Sequence, residues 1–181
     1  MVVVNGILRF VGLLNAAVWL GGTVFVVVVA APALSSPDAN RLLGPANFPY
    51  FSGAMSHLVL ERWFHLQIVC GLIALLQLLG QRLYSGRFHR KLTVGLAAGL
   101  FVLALLGANW TVPNLSAQHA IRYAASTTPV QREAAARSLR NWHWLLQFSN
   151  LLTLGGLVIF GWQLDHPPDN TRFVSSVKFR G

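Results

Sequence analysis

Four long apolar stretches, almost free of charge, occupy most of this 181-residue chain and constrain its fold more than any other feature. They cover 10–37, 63–81, 92–120 and 141–164. The first carries no charge, the second none beyond a chargeable His65, and the third holds Asn109 and His119 in its later part. A helix needs about 20 mainly apolar residues to cross the ~30 Å hydrocarbon core of a bilayer. Charged residues make up only 10% of the chain, against roughly 25% in soluble domains, so a water-solvated surface has too few charges to cover it. The pattern predicts an all-α protein, an integral membrane antiparallel four-helix bundle. Its helices are expected at 6–32, 57–84, 92–113 and 129–164, forming one domain over 1–164, with a polar C-terminal tail over 165–181.

The net charge of +9 is concentrated in the spacers between the apolar stretches. That distribution suits anionic lipid headgroups and topology control, and not a nucleic-acid groove. The second connection is short and basic, with Arg82, Arg87, Arg90 and Lys91 around His89. The positive-inside rule places it, and with it both termini, on the cytoplasmic side of a bacterial inner membrane. Arg172, Lys178 and Arg180 of the tail agree; Arg122, Arg132, Arg137 and Arg140 of the third connection pull the other way. Ala31-Pro32-Ala33 loosely resembles a signal-peptidase site, but the apolar stretch is too long for a signal peptide, so a retained helix is expected. Cys70 is the sole cysteine, lies within an apolar stretch and reads as a core residue.

Two helices are expected to outrun the membrane. Thr128-Pro129-Val130-Gln131 fits a capping box with proline in the first helical position, and no breaker follows before the fourth apolar stretch. Glu133 and Arg137 stand four apart, a supportive helical pair. Phe48-Pro49-Tyr50-Phe51 marks an early start for the second helix, and both overhangs fall on the non-cytoplasmic side. Gly95 with Gly99, and Gly12 with Ala16, are small-xxx-small pairs of the kind that lets helix backbones approach.

Polar residues within apolar spans are costly, so their positions direct the search for a site. In antiparallel order, His57, Glu61, Arg62, His65, Asn109, Trp110, Arg140, Asn141, His143, Gln147 and Asn150 fall in the outer half, with Asn15 deeper. One expectation is structural: interfacial charges met by water, with Glu61 paired to Arg140 or Arg137. The other is a polar cavity between helices 2, 3 and 4, built from Glu61, Arg62, His65, Asn109, Trp110, Arg140, His143, Gln147 and Asn150. His57, His65 and His143 are the candidate axial ligands for a haem or chlorophyll-type tetrapyrrole, since imidazole binds such metals. The sequence contains no CxxCH, HExxH, phosphate loop or nucleophile elbow, so a non-enzymatic role is expected.

Several short stretches, in this order and spacing, resemble the transmembrane protein 205-like family, also called domain of unknown function 4149. They are Trp19-Leu20-Gly21-Gly22 through Pro32, Asn47-Phe48-Pro49-Tyr50-Phe51, Gly107-Ala108-Asn109-Trp110 with Pro113, and Asn141-Trp142-His143 with Ser149-Asn150-Leu151. The resemblance spans about 20–151 and implies a four-helix membrane protein without implying an activity. The chain departs from it in the Glu61-Arg62 pair and the added tail. Membrane protoporphyrinogen oxidases use a histidine in the first helix and a Leu-Pro-Arg motif after it; neither occurs here. The leading functional expectation is a non-catalytic accessory or structural subunit of a larger membrane complex, contacting lipids and partner subunits. A tetrapyrrole-binding subunit of an electron-transfer or photosynthetic complex, and a small-molecule or ion transporter, are the alternatives.

Overall fold

The structure, a computed structural model, describes residues 2–85 and 91–165. The expected tail beyond Asp165, and Arg87, His89 and Arg90 of the basic connection, lie outside these residues. All the described secondary structure is helical. Helix α1 spans 2–34, α2 is the short Pro37–Leu43, α3 is Phe48–Ser85, α4 spans 91–123 and α5 is Pro129–Asp165. The four long helices are each long and apolar enough to cross a membrane.

Local chemistry explains the boundaries. Ser36 caps α2 by accepting from the Ala39 N–H at 3.1 Å, and Gly44 ends it with φ of 75°, a left-handed value suited to glycine. At α5 the capping box forms reciprocally: Gln131 N–H reaches Thr128 Oγ1 at 3.4 Å, and Thr128 N–H reaches Gln131 Oε1 at 3.1 Å. Glu133 and Arg137 make no ion pair, so that expected support is absent. Helix α3 begins at Phe48, at the early start that Phe48-Pro49-Tyr50-Phe51 marks and nine residues before the span expected from 57.

Helix α4 departs most from expectation: it continues through Pro113 to Tyr123 instead of ending at 113. Proline removes one N–H and its ring crowds the carbonyl four residues back. Here the chain widens into a π-helical turn, Gly107–Thr111, closed by the Val112 N–H on Gly107 O. The Asn109 and Asn114 side chains donate to the carbonyls of Leu105 at 2.9 Å and Trp110 at 2.7 Å, so their own polar groups are paired within the helix. Helix α1 repeats the device before Pro32, with the π-helical turn Phe25–Ala30 and the Ala31 N–H on Val26 O. Gly107 is required for a second reason: the Phe64 ring lies where its Cβ would be.

The long helices pack into two buried clusters. One lies toward the chain termini and joins Trp19 of α1, Trp63, Ala74 and Leu78 of α3, Ala97 and Leu100 of α4, and Leu157 and Phe160 of α5. At that end Arg9 donates to the Asp165 carbonyl at 2.7 Å and pairs with its carboxylate at 3.4 Å. The other cluster joins Leu60 and Phe64 to Val112 and Leu115 of α4 and Leu139 and Leu146 of α5. Small residues let backbones approach in the first cluster, as expected for Gly12, whose Cα faces the Gln77 side chain. The expected Gly95–Gly99 pair does not pack within the chain: both glycines are exposed, and Thr93, Ala97, Leu100 and Ala104 supply the buried face of α4. Phe10, Leu14, Val18, Leu76, Phe148, Leu151 and Trp162 stand exposed on the outside, an apolar exterior that hydrocarbon would solvate.

Candidate functional site

A cavity of about 560 Å³ opens at the end of the bundle remote from the termini. Four helices line it. The end of α1 contributes Val26, Val27 and Leu34; the start of α3 contributes Phe48, Ser52, Gly53, Ser56, His57 and Leu60. The end of α4 adds His119, Arg122 and Tyr123, and α5 adds Arg140, His143, Leu146, Gln147 and Asn150. Its volume falls in the range of small-molecule sites, about 300–1,000 Å³.

His119 is the centre of this site. It is 7% exposed, and its Nε2 is fully buried without a hydrogen-bond partner. A buried polar nitrogen left unpaired costs about 1–3 kcal/mol, so its position calls for a compensating role. Gly53 permits it: a Cβ there would overlap the imidazole edge, lying 2.7 Å from Cδ2. The ring of His57, itself 9% exposed, meets His119 edge to face, with centroids 5.0 Å apart and planes at 82°. Tyr123 and Tyr50 close the box at 4.8 and 5.3 Å from the His119 ring. Tyr123 Oη donates to the Pro49 carbonyl at 3.0 Å and ties the end of α4 to the start of α3.

The polar lining is rich in donors. Ser52 Oγ donates to Leu34 O at 2.7 Å and Ser56 Oγ to Ser52 O at 2.8 Å, so both hydroxyl protons are committed to backbone. Three imidazoles, two amides and the Arg122 and Arg140 guanidiniums remain. The Arg122 guanidinium also sits 5.4 Å from the Tyr123 ring centroid, a cation–π contact that holds it at the rim. Among the described residues, no aspartate or glutamate lines the cavity. Arg9 and Arg41 carry the described ion pairs, with Asp165 and Asp38, and neither belongs to the site.

The structure gathers half of the expected residues. His57, Arg140, His143, Gln147 and Asn150 share the cavity. His65, Glu61, Arg62, Asn109 and Trp110 do not line it and are exposed. The reason is angular: at 3.6 residues per turn, Glu61, His65 and Arg62 lie roughly 100°, 140° and 160° around α3 from Leu60, whose face is buried. His65 Nδ1 instead bonds the Glu61 carbonyl at 2.7 Å. Glu61 forms no ion pair with Arg140 or Arg137 among the described residues. Trp110 turns outward, 60% exposed, and packs edge-on against Trp142 at 6.1 Å. Asn15, the deeper polar residue, donates to Cys70 O at 2.8 Å and is structural.

His119, Arg122 and Tyr123 are not among the site residues expected from sequence, because α4 is expected to stop at Pro113; Tyr50, on α3, is expected only as part of that helix's start. The signal was present: Val112, Leu115 and His119 recur at helical spacing beyond the proline and are the buried residues of that segment. Among the described residues no cluster of histidine, cysteine or carboxylate side chains has metal-site geometry. Compared with family models, curated proteins and solved structures, the chain matches none.

Proposed function

We propose that this chain is a non-catalytic integral membrane protein that holds a small molecule in the cavity between α1, α3, α4 and α5. The observation that carries this reading is a cavity of ligand size whose described wall joins apolar side chains to three imidazoles and two guanidiniums. In the same proposal the helices form an antiparallel bundle in a bacterial inner membrane, termini cytoplasmic, and the ends of α3 and α5 project on the non-cytoplasmic side. The cavity then opens toward the outer leaflet. Membership of the transmembrane protein 205-like family belongs to this proposal too, supported by the motifs that surround the site, Asn47 to Phe51 and Asn141 to His143.

The accessory-subunit role is compatible with ligand holding, and a partner would dock on the exposed apolar faces that otherwise meet lipid. No specific observation favours a tetrapyrrole: His57 and His119 touch ring to ring, leaving no space between them for a macrocycle, and His65 is elsewhere. The transporter alternative loses its cluster once Glu61, Arg62 and His65 fall outside the cavity.

Native mass spectrometry of the full chain in nonionic detergent tests the binding reading. A bound small molecule is expected on the wild type and absent from Ser56→Phe, which fills the cavity without touching the core clusters. A bare wild-type spectrum, unchanged after incubation with a lipid extract, would refute it. Topology is checked by outside labelling of Ser126→Cys, on the exposed turn between α4 and α5. Labelling from the cytoplasmic side only would reverse the orientation.

A further inference from the structure

We propose that the ligand is an anionic amphiphile, with one carboxylate or phosphate head and a single apolar body; this rests on the cavity being a binding site. The charge argument comes first. Arg122 and Arg140 stand at the cavity without a carboxylate partner among the described residues, and no acidic side chain lines it. Both guanidiniums are exposed, and their field attracts an anionic head and repels a cationic one.

The donor inventory sharpens the choice. The Ser52 and Ser56 hydroxyl protons are committed to backbone carbonyls, and Tyr123 Oη to Pro49 O. What faces the space is a set of guanidinium, imidazole and amide groups from Arg122, Arg140, His57, His143, Gln147 and Asn150, while the His119 Nε2 is turned against Gly53. A carboxylate or phosphate oxygen accepts from guanidinium and from an imidazole N–H together, whereas a hydroxyl head satisfies one.

Shape supplies the rest. Arg140 and Asn150 are ten residues apart on α5, roughly 15 Å at 1.5 Å per residue, so the cavity is elongated along that helix. Arg122 lies at the end of α4 beside Tyr123, and Arg140 stands eleven residues into α5. Val26, Leu60 and Leu146 form apolar wall further along. Gln147 and Asn150 at the far end are neutral and select no charge. The site therefore sets two cations among largely apolar wall, which fits an apolar chain carried by an acidic head and not a small free anion.

The same head chemistry occurs on an anionic phospholipid of the bilayer and on a free fatty carboxylate or phosphate monoester. Equilibrium binding to the full chain in nonionic detergent uses palmitate, hexadecyl phosphate, hexadecanol and inorganic phosphate as probes. Palmitate and hexadecyl phosphate are expected to bind at least about tenfold tighter than hexadecanol. The double variant Arg122→Gln/Arg140→Gln is expected to erase that preference while hexadecanol binding persists, which also shows that the variant is folded. Arg140→Lys, which keeps the charge, is expected to retain most of the preference. Equal or tighter binding of hexadecanol overturns the proposal and leaves the cavity reading intact. Displacement of palmitate by equimolar inorganic phosphate also overturns it, in favour of a small-anion site. Failure of every probe, with a bare native spectrum, removes the cavity reading itself. In nanodiscs, phosphatidylglycerol that displaces palmitate identifies the bilayer as the source, and phosphatidylglycerol that does not identifies the free amphiphile.

Discussion

The two ends of this bundle solve the same packing problem in opposite ways. Toward the termini, Trp19, Phe160 and Leu157 are fully buried, and glycines at 12, 22, 71 and 156 bring the helices into contact with the side chains of Gln77, Trp63, Phe101 and Leu100. At the other end the helices part around a cavity, and the residues that face it are imidazoles, guanidiniums and amides. Within a bilayer, helices gain little from burying apolar surface against one another, so association depends on close van der Waals fit. The terminal end has that fit. The cavity end gives up part of it, and holds together through a smaller cluster and the Tyr123–Pro49 tie. The difference teaches that close packing and open space reside at different ends of one set of helices, and on the proposed function the open end is the binding end.

Substitutions that separate these two duties break or sharpen the comparison. The largest effect is expected from Trp19→Ala in the packed end, which should lower unfolding stability in mixed micelles by about 3–5 kcal/mol. A loss under 1 kcal/mol would mean that this cluster does not hold the fold. Gly53→Leu, at the cavity end, is expected to displace His119 and abolish ligand retention while costing less than Trp19→Ala. Ligand retained at wild-type level in that variant would remove His119 from the site.

Gln77→Met comes next. Both polar atoms of the Gln77 amide are buried without partners, so an apolar side chain of similar shape should stabilise the chain by about 1–3 kcal/mol. Destabilisation of that size would assign Gln77 a partner and make the packed end polar in function as well. The smallest effect is expected for Arg9→Gln. Its ion pair with Asp165 is exposed on both sides, and such pairs contribute about 0–1 kcal/mol. Denaturant titration should show no resolvable shift, and a large one would tie the two chain ends into the core.

Sequence made the fold legible where the cause is local. The capping box at Thr128 depends on two side chains three residues apart, and it forms as read. The apolar stretches required helices because an exposed backbone in hydrocarbon has no other way to pair its polar groups. Pro113 misled because the helix accommodates it with a widened turn, a compensation that no single residue announces. That hid ten residues of α4 and, with them, His119. The site was half legible for a different reason. Polarity located the right end of the molecule, but the rotation of α3 decides that His57 faces in while His65 faces out, and that rotation is set by the burial of its own Trp63 and Phe64 against the other helices. Gly95 and Gly99 show the same limit: their spacing is that of a packing face, yet α4 turns Ala97 and Leu100 inward instead.

The account stands on an amphiphile occupying the cavity end and not the packed end, and photo-crosslinking reads that directly. Palmitate bearing a diazirine on its chain is incubated with the full chain in nonionic detergent, irradiated, and the adducts are mapped by peptide mass spectrometry. Adducts are predicted on the cavity-facing residues of 26–34, 48–60, 119–123 and 136–150, competed by unlabelled palmitate and lost in Ser56→Phe. Adducts scattered over the exposed apolar faces, or confined to 63–78 and 153–164, without competition, would contradict the account.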